Sequence, residues 1–539
     1  NEADLVIAFN EQVLKGREAA GEFKPGCPIL LEDMWRTHPN PEIAREYVET
    51  YDYLVEKGYD IHEVPMQQEC LKYVDNPQRG KNMFVVGMLA HIYSLDLEIF
   101  RFQIREKFKK KGEKVIKPNM ELLEAGANWA AQNLAFQYEV PPYGISEPQV
   151  VVNGNTAIAL GVVASGMEVC AMYPITPATS ASHYLSDIFE DVGGVVHQAE
   201  DEIAACAFAL GASYAGKCAV TITSGPGMAL KTELMGLSVM GEIPLVLVDV
   251  QRGGPSTGLP TKVEQGDLLA AIFGTPGDAP KIVMAPATIE DCFYSMITAR
   301  KIAETFRTLV VVLSDANLAT GQQAFTRPKF NKEWLAPPID QSPIPEGKDP
   351  FDWDDRTGLS QRFVPGQPGG MNTMTGLAHT RDARVAYEPG VNQEGCRARS
   401  LKLAAFQKTL KAPRVHGDPE GDILVVGWGS TKGAIEEAVN RVRKDGHKVS
   451  SLHLKFLQPM ATGIKEILEK FKTVITVEIN YSDDLADELI DENNRRYANL
   501  AWLLRARYLK DIDCWSNVHG QPIKPGAIEQ MLRNRLNAS

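Results

Sequence analysis

The sequence predicts a multidomain α/β protein built on parallel sheets, and three observations carry that expectation. At 539 residues the chain is too long for one hydrophobic core, and roughly 150 residues per domain implies three or four. Short apolar runs alternate with helix-period segments over residues 1–137 and again over 411–539, as consecutive strand–helix units do. Between them, residues 172–268 set three Gly- or Pro-punctuated loops directly after β-branched or apolar runs, which suits a cofactor site at the ends of parallel strands.

In chain order, ADLVIAF and CPILLED read as strands, and PEIAREYVETYDYLVEKG as an amphipathic helix stopped by Gly. NMFVVGMLAHIYSLDLEIFRFQIREKFKKKG follows as a helix pair whose terminal Lys109, Lys110 and Lys111 form a solvated cationic cap at a helix C-terminus rather than a phosphate patch. A further helix, PNMELLEAGANWAAQNL, runs into the Pro-bearing linker 138–150. Residues 151–325 then supply the helix NTAIALGVVASG, the strand and loop EVCAMYPI, the long helix ATIEDCFYSMITARKIAETF and the strand TLVVVLSDA. From 326 to 410 the periodicity dissolves into a Pro- and Asp-rich connector. Residues 411–539 return to alternation with DILVVGWGS, GAIEEAVNRVRKDG, KVSSLHLKFLQPM, KEILEKF and KTVITVEIN, implying a second parallel sheet. The Gly pair of GWGS reads as a tight strand-to-helix turn rather than a nucleotide loop.

Composition narrows the function classes. The 56 basic residues are outnumbered by 69 acidic ones, a net charge of -13, which argues against a nucleic-acid partner, since such affinity comes from clustered Lys and Arg. PLVLVDV and TLVVVLS are strand-length, far short of the roughly 20 apolar residues a membrane span needs, so a cytoplasmic chain with no membrane segment is expected. It opens NEADLVIAFNEQ, with neither an initiator Met nor a signal-peptide pattern; a strand so close to residue 1 suggests that sequence precedes it. None of the eight cysteines falls at CxxC spacing, so no metal or iron–sulfur site made by this chain alone is expected. Cys170 and Cys206 read as buried small residues.

Glu202 opens the small-residue helix IAACAFALGASYAG, where Ala and Gly let backbones and a flat ring approach closely. A carboxyl there is costly unless bonded, and burial favours its protonated form. Thiamine diphosphate requires such a group, bonded to the ring nitrogen of its aminopyrimidine. The alternative reading is that Glu200, Asp201 and Glu202 only place negative charge at a helix N-terminus. Arg252, between PLVLVDV and the loop GGPSTG, reads either as a surface residue or as a fork for a carboxylate. Thr176 and Thr261, each beside a proline, read as turn hydroxyls or pocket groups.

MYPITPATS, QAEDEIAA, TSGPGMALKTE and QRGGPSTGLPTKVEQGDL, in that order, resemble the α subunit of the 2-oxoacid:ferredoxin oxidoreductases. The resemblance covers most of the chain. It implies an N-terminal α/β γ domain at 1–137, a linker at 138–150, the pyrimidine-binding parallel-sheet domain of a thiamine-diphosphate fold at 151–325, a connector at 326–410 and a transketolase-C-like domain at 411–539. Two departures stand out: the glycine-rich turn that opens the family's γ domains is absent, and its GLEHD appears as Gly376, Leu377, Ala378, His379 and Thr380.

By resemblance, Glu202 holds the aminopyrimidine, Tyr173, Pro174, Ile175, Ser224 and Gly225 line the cofactor, and Thr176, Arg252 and Thr261 serve the substrate. The GDG motif and downstream Asn that hold magnesium in the diphosphate half are missing; PEGDI and EQGDL lack the second Gly. The implied site is therefore half a site. A β subunit would supply the Mg2+ and [4Fe-4S] sites, with thiamine diphosphate shared across an (αβ)2 assembly. The implied reaction is the reversible, coenzyme A-dependent oxidative decarboxylation of a 2-oxoacid with ferredoxin as electron acceptor. Overall likeness favours 2-oxoglutarate, with Lys262 a candidate for its distal carboxylate. Pyruvate or branched-chain 2-oxoacids, a non-oxidative thiamine enzyme, and a non-catalytic assembly subunit are the alternatives.

Overall fold

A computed structural model of the chain describes residues 2–141, 144 and 147–538. Residues 142, 143, 145 and 146 of the expected linker lie outside the described residues. The chain divides into two compact units, Asn1–Ser146 and Glu147–Ser539.

The first unit carries three parallel strands, Val6–Ala8, Pro28–Glu32 and Asp60–Val64, with Pro28–Glu32 in the centre. The helix Pro41–Glu56 starts where Asn40 accepts a bond from the Glu42 N–H at 3.0 Å with Pro41 at its first position, a strong start signal. It buries Tyr47 and Leu54 against the sheet, and Gly58 takes the left-handed conformation just beyond its end. Helices Lys81–Ile92 and Glu113–Asn133 cross on glycines. A Cβ at Gly87 would lie 2.0 Å from the Leu123 carbonyl, and one at Gly126 1.9 Å from that of Phe84. The second of these helices begins at Glu113, five residues before the proline read as its start, and accommodates Pro118. Lys109–Lys111 form a short 3-10 turn at the C-terminal end of Leu97–Phe108, the place of a cationic cap.

The second unit is organised around a seven-stranded sheet. From one edge the strands are Phe456–Gln458, Ile282–Met284, Leu309–Asp315, Leu245–Gln251, Ala219–Thr223, Val169–Met172 and Val195–Gln198; only Phe456–Gln458 runs antiparallel to its neighbour. Leu245–Gln251 and Leu309–Asp315 are buried along their whole length, as the near-continuous apolar runs of a sheet covered on both faces require. Val246, Val248, Val310 and Val312 face helices Gly154–Ala164 and Ile289–Phe306. Leu245, Leu247, Leu309 and Val311 share a core with helix Glu202–Tyr214 and with Leu424, Val426, Trp428 and Leu452 of the second sheet. That sheet has five strands, in order Val415–His416, Val449–Leu454, Gly421–Trp428, Phe471–Glu478 and Asp513–Ser516, the last four mutually parallel.

Two expectations are corrected here. KVSSLHLKFLQPM, read as one strand, is two: Val449–Leu454 belongs to the five-stranded sheet and Phe456–Gln458 caps the edge of the seven-stranded one. The run therefore stitches the two sheets together. The connector is not structureless to residue 410, because Pro389–Gln407 is a helix of 19 residues. Its inward face carries Arg399 and Lys402 beside Ala398, Leu403 and Phe406, so its apolar stripe is interrupted by charge and reads as loop.

Candidate functional site

The strand order fixes where a ligand can sit. The chain passes from Val169–Met172 outward to Val195–Gln198, then returns to the opposite side with Ala219–Thr223 and Leu245–Gln251. The order reverses between Val169–Met172 and Ala219–Thr223, and in open parallel sheets the crevice at the carboxyl ends beside such a reversal is the binding place. Tyr173–Pro177 leaves one of these strands, Ser224–Gly227 the other, and Arg252 ends the next along. Glu202 opens the helix that lies over both.

The two readings of the acidic turn separate at this point. Asp201 is the helix cap, its carboxylate accepting the Ala204 N–H at 2.7 Å. Glu202 is 8% exposed, and among the described residues no hydrogen bond or ion pair reaches its carboxyl. It lies against Gly227, where a Cβ would come 2.7 Å from Glu202 Cγ, 3.2 Å from Oε1 and 2.1 Å from Thr223 Oγ1. Its backbone carbonyl accepts the buried Lys231 Nζ at 2.9 Å, which also donates to Thr221 Oγ1 at 3.1 Å. Burial pushes the Lys231 ammonium below its ordinary range. Lys231 thus anchors the first turn of the helix and leaves the Glu202 carboxyl without a partner. The signal for this lysine in the sequence is a lone charge within the apolar run GPGMALKTE.

Arg252, also 8% exposed, donates from Nη1 to the Thr176 carbonyl at 2.7 Å, while its buried Nε has no acceptor among the described residues. Two of the anticipated residues are thereby brought together. Asn155 holds the same loop by donating to the Pro177 carbonyl and Ser180 Oγ at 2.8 and 2.7 Å. Ser224 Oγ is buried, with no partner among the described residues, at the start of the short helix Gly225–Leu230. Tyr173 is 37% exposed, and Pro174 and Ile175 are half-buried, in the loop that leaves the strand Val169–Met172. Thr261 lies on the exposed stretch 254–261, and among the described residues no hydrogen bond joins it to the others. Lys262 runs its stem along Gly520 of the C-terminal part, where a Cβ would meet Lys262 Cβ at 3.0 Å. His379 is buried against Phe351, ring centroids 3.9 Å apart, with its ring nitrogens toward the Thr380 and Met240 carbonyls.

Beneath the SGPG turn lies a pair the sequence did not reveal. A Cβ on Gly225 would touch Asp267 Oδ2 at 2.5 Å, and Asp267 bonds the fully buried Asp249. Among the described residues no N–H or hydroxyl reaches either Asp249 oxygen, and two buried carboxyls in contact favour holding one proton between them. Burial and the Asp267 charge raise Asp249 well above the carboxylate range, and burial pushes Asp267 up to about 6. A raised folded-state pKa means that the native state binds more protons than the unfolded chain between about pH 4 and the folded values, so the pair lowers stability as pH rises through that window. Burial raises Asp315 and Glu478 too, so the slope alone does not single out the pair. Asp249→Asn supplies a permanent N–H in place of the shared proton. It is expected to flatten the loss of unfolding midpoint between pH 5 and 8 relative to the parent, by an amount of order 1 kcal/mol or more, measured by urea titration. An identical slope in both proteins would exclude proton sharing.

Among the described residues no group of three or more His, Cys, Asp or Glu side chains is placed to hold a metal ion, and no helix is long and apolar enough to cross a membrane. All eight cysteines are free; burial pushes the Cys170 and Cys206 thiols up to about 12 and 11.

The fold and this end of the sheet define a chain of the thiamine-diphosphate-binding α/β class. Residues 160–391 match the family model for pyruvate flavodoxin/ferredoxin oxidoreductase, thiamine-diphosphate-binding; 1–129 match pyruvate ferredoxin/flavodoxin oxidoreductase, and 421–510 pyruvate:ferredoxin oxidoreductase core domain II. The chain is 37% identical to the 2-oxoglutarate oxidoreductase subunit KorA of Mycobacterium tuberculosis, over 99% of this chain and 81% of that protein. It is 31% identical to the 2-oxoacid:ferredoxin oxidoreductase 1 subunit alpha of Aeropyrum pernix, over 81% and 70%. It superposes on a 2-oxoglutarate:ferredoxin oxidoreductase from Magnetococcus marinus, solved with 2-oxoglutarate, coenzyme A and succinyl-CoA bound, with a TM-score of 0.86 and 31% identity, covering 99% of this chain and 88% of that one. The chain belongs to the 2-oxoacid:ferredoxin oxidoreductase family, among its α subunits.

Proposed function

We propose that the chain is the fused γα subunit of a 2-oxoglutarate:ferredoxin oxidoreductase, which with coenzyme A converts 2-oxoglutarate to succinyl-CoA and CO2 while two ferredoxins are each reduced by one electron. One observation carries the catalytic part of this reading: Glu202 is a nearly buried carboxyl, relieved of capping by Asp201 and left unpaired at the switch point of the sheet. The names of the M. tuberculosis relative and of the M. marinus structure support the choice of substrate.

The residues fit an aminopyrimidine. Gly227 lets the Glu202 side chain pack directly on the SGPG turn, where a Cβ would strike Glu202 Cγ and Thr223 Oγ1, and the orphaned Ser224 Oγ and the SGPG backbone lie at the end of the neighbouring strand. When bound, thiamine diphosphate supplies a nucleophilic carbon and a sink for the electron pair released as CO2 leaves. Glu202 would hold the aminopyrimidine through its ring nitrogen. Tyr173, Pro174 and Ile175 exclude water from the crevice. Arg252, already fixed at one Nη by the Thr176 carbonyl, offers its unpartnered Nε edge to the carboxylate of the 2-oxoacid; Thr176 steadies that fork, and Thr261 closes over it with its loop. The magnesium and [4Fe-4S] sites are assigned to a β subunit in an (αβ)2 assembly, consistent with the lack of GDG and CxxC motifs in this sequence.

The test is substrate discrimination by the chain combined with its β subunit. Reduction of ferredoxin or a viologen is expected with 2-oxoglutarate and coenzyme A, and not with pyruvate; the reverse preference would move the assignment to a pyruvate enzyme. Arg252→Lys loses the fork and is expected to lower kcat/KM for the 2-oxoacid by roughly 10- to 100-fold, mainly through KM, the span of a hydrogen bond to a charged group. An unchanged KM would remove Arg252 from the substrate site.

A further inference from the structure

A cavity lies in the Glu147–Ser539 unit where the two sheets meet. It has a volume of about 580 Å³, within the size range of small-molecule sites. Its walls come from the start of helix Ile289–Phe306, the segment 410–416, the start of helix Lys432–Lys444 and the run 451–456 that crosses from one sheet to the other.

Chemically the cavity is two-sided. Leu410, Pro413, Phe456, Ala461 and Ile464 give an apolar wall. Lys411, Arg414, Lys432 and Lys455 are set against only two carboxylates, Asp291 and Glu436, in a chain whose net charge is -13. Lys455 is neutralised by Asp291 at 2.5 Å. Among the described residues Lys411, Arg414 and Lys432 have no ion-pair partner. His453, on the strand Val449–Leu454, lines the cavity with both ring nitrogens buried out of reach of solvent. Burial and the charge of Lys432 hold the ring neutral, its pKa pushed down to about 3, so it adds to the uncharged side of the cavity. His416 is engaged elsewhere, its Nε2 pairing with Asn440 Oδ1 at 2.8 Å.

We infer that this cavity is a binding site, separate from the crevice at Glu202, for a phosphorylated organic molecule of nucleotide size: the free cations hold the phosphates, and the apolar wall covers its organic part. An apolar ligand would leave the cations idle, and a simple anion would leave the apolar wall wet.

The inference is tested by calorimetric titration of the full chain with ADP, adenosine and pyrophosphate. ADP is expected to bind saturably with a Kd of about 1 mM or tighter, and adenosine and pyrophosphate each more weakly. Lys432→Gln is expected to weaken ADP at least tenfold, since a charge-assisted bond is lost. Arg414→Gln and Lys411→Gln, on an exposed segment without regular structure, are expected to do the same without altering the fold. In the enzyme assembled with its β subunit, these three variants should leave the KM for coenzyme A unchanged, which separates this cavity from any nucleotide-binding part of the reaction site. Absence of saturable ADP binding up to about 10 mM, or ADP binding indifferent to all three replacements, overturns the inference.

Discussion

Glu202→Gln is expected to cut coenzyme A-dependent turnover of 2-oxoglutarate by roughly 10²- to 10⁴-fold, the usual contribution of a positioned proton-transfer group, while leaving the unfolding midpoint close to that of the parent. Glutamine keeps the shape that packs on Gly227 but cannot take up and return a proton. The fold should not notice, because helix capping rests with Asp201 and the first turn is held through the Glu202 backbone carbonyl by Lys231. Near-normal turnover would reduce the residue to the helix-terminal charge that its surroundings in sequence also allowed.

The largest expected effect on stability lies away from the crevice, at Glu242. This carboxylate is buried in contact with Lys402 Nζ at 2.8 Å, and accepts from Trp353 Nε1 at 2.6 Å and Ser360 Oγ at 3.3 Å. Burial opposes its charge, but Lys402 and Arg307 outweigh that and hold it below the ordinary carboxylate range. Lys402 also donates to the Arg307 carbonyl at 3.2 Å, while the Arg307 guanidinium binds Ser360 and Gln361. One knot thus fastens the connector and the helix Pro389–Gln407 to the sheet domain. Glu242→Gln leaves two buried cations uncompensated and should destabilise by about 3–5 kcal/mol; Lys402→Met should cost a similar amount by leaving the carboxylate with less compensation. The double replacement should recover a substantial part of the loss, because no buried partner is then stranded on either side of the pair. Single variants costing only about 0–1 kcal/mol in urea unfolding would mean that the pair behaves as an exposed one.

The strand–helix alternation and the glycine-punctuated loops were legible because each is written in neighbouring residues. VDVQR ends in Arg252 just where the strand Leu245–Gln251 ends, and a reader of sequence sees both at once. The joining of Arg252 to Thr176, 76 positions away, was reachable only through the resemblance. The Asp249–Asp267 pair, and the Glu242–Lys402 pair across 160 positions of sequence, were not legible at all, since isolated acids and lysines have no local signature until the fold buries them. The helix Pro389–Gln407 was missed for the same reason: Arg399 and Lys402 look solvent-facing until their partners Met240, Cys396 and Glu242 are known. Thr261 shows the converse, a residue assigned by its motif whose loop here stands exposed.

The central claim is that this chain is one wall of a shared site. It is tested most directly by measuring thiamine diphosphate binding, with magnesium present, to the chain alone and to the chain assembled with its β subunit. The account predicts no tight binding and no 2-oxoglutarate turnover by the chain alone, and one thiamine diphosphate per chain, with turnover, in the assembly. Stoichiometric binding and turnover by the isolated chain would contradict it.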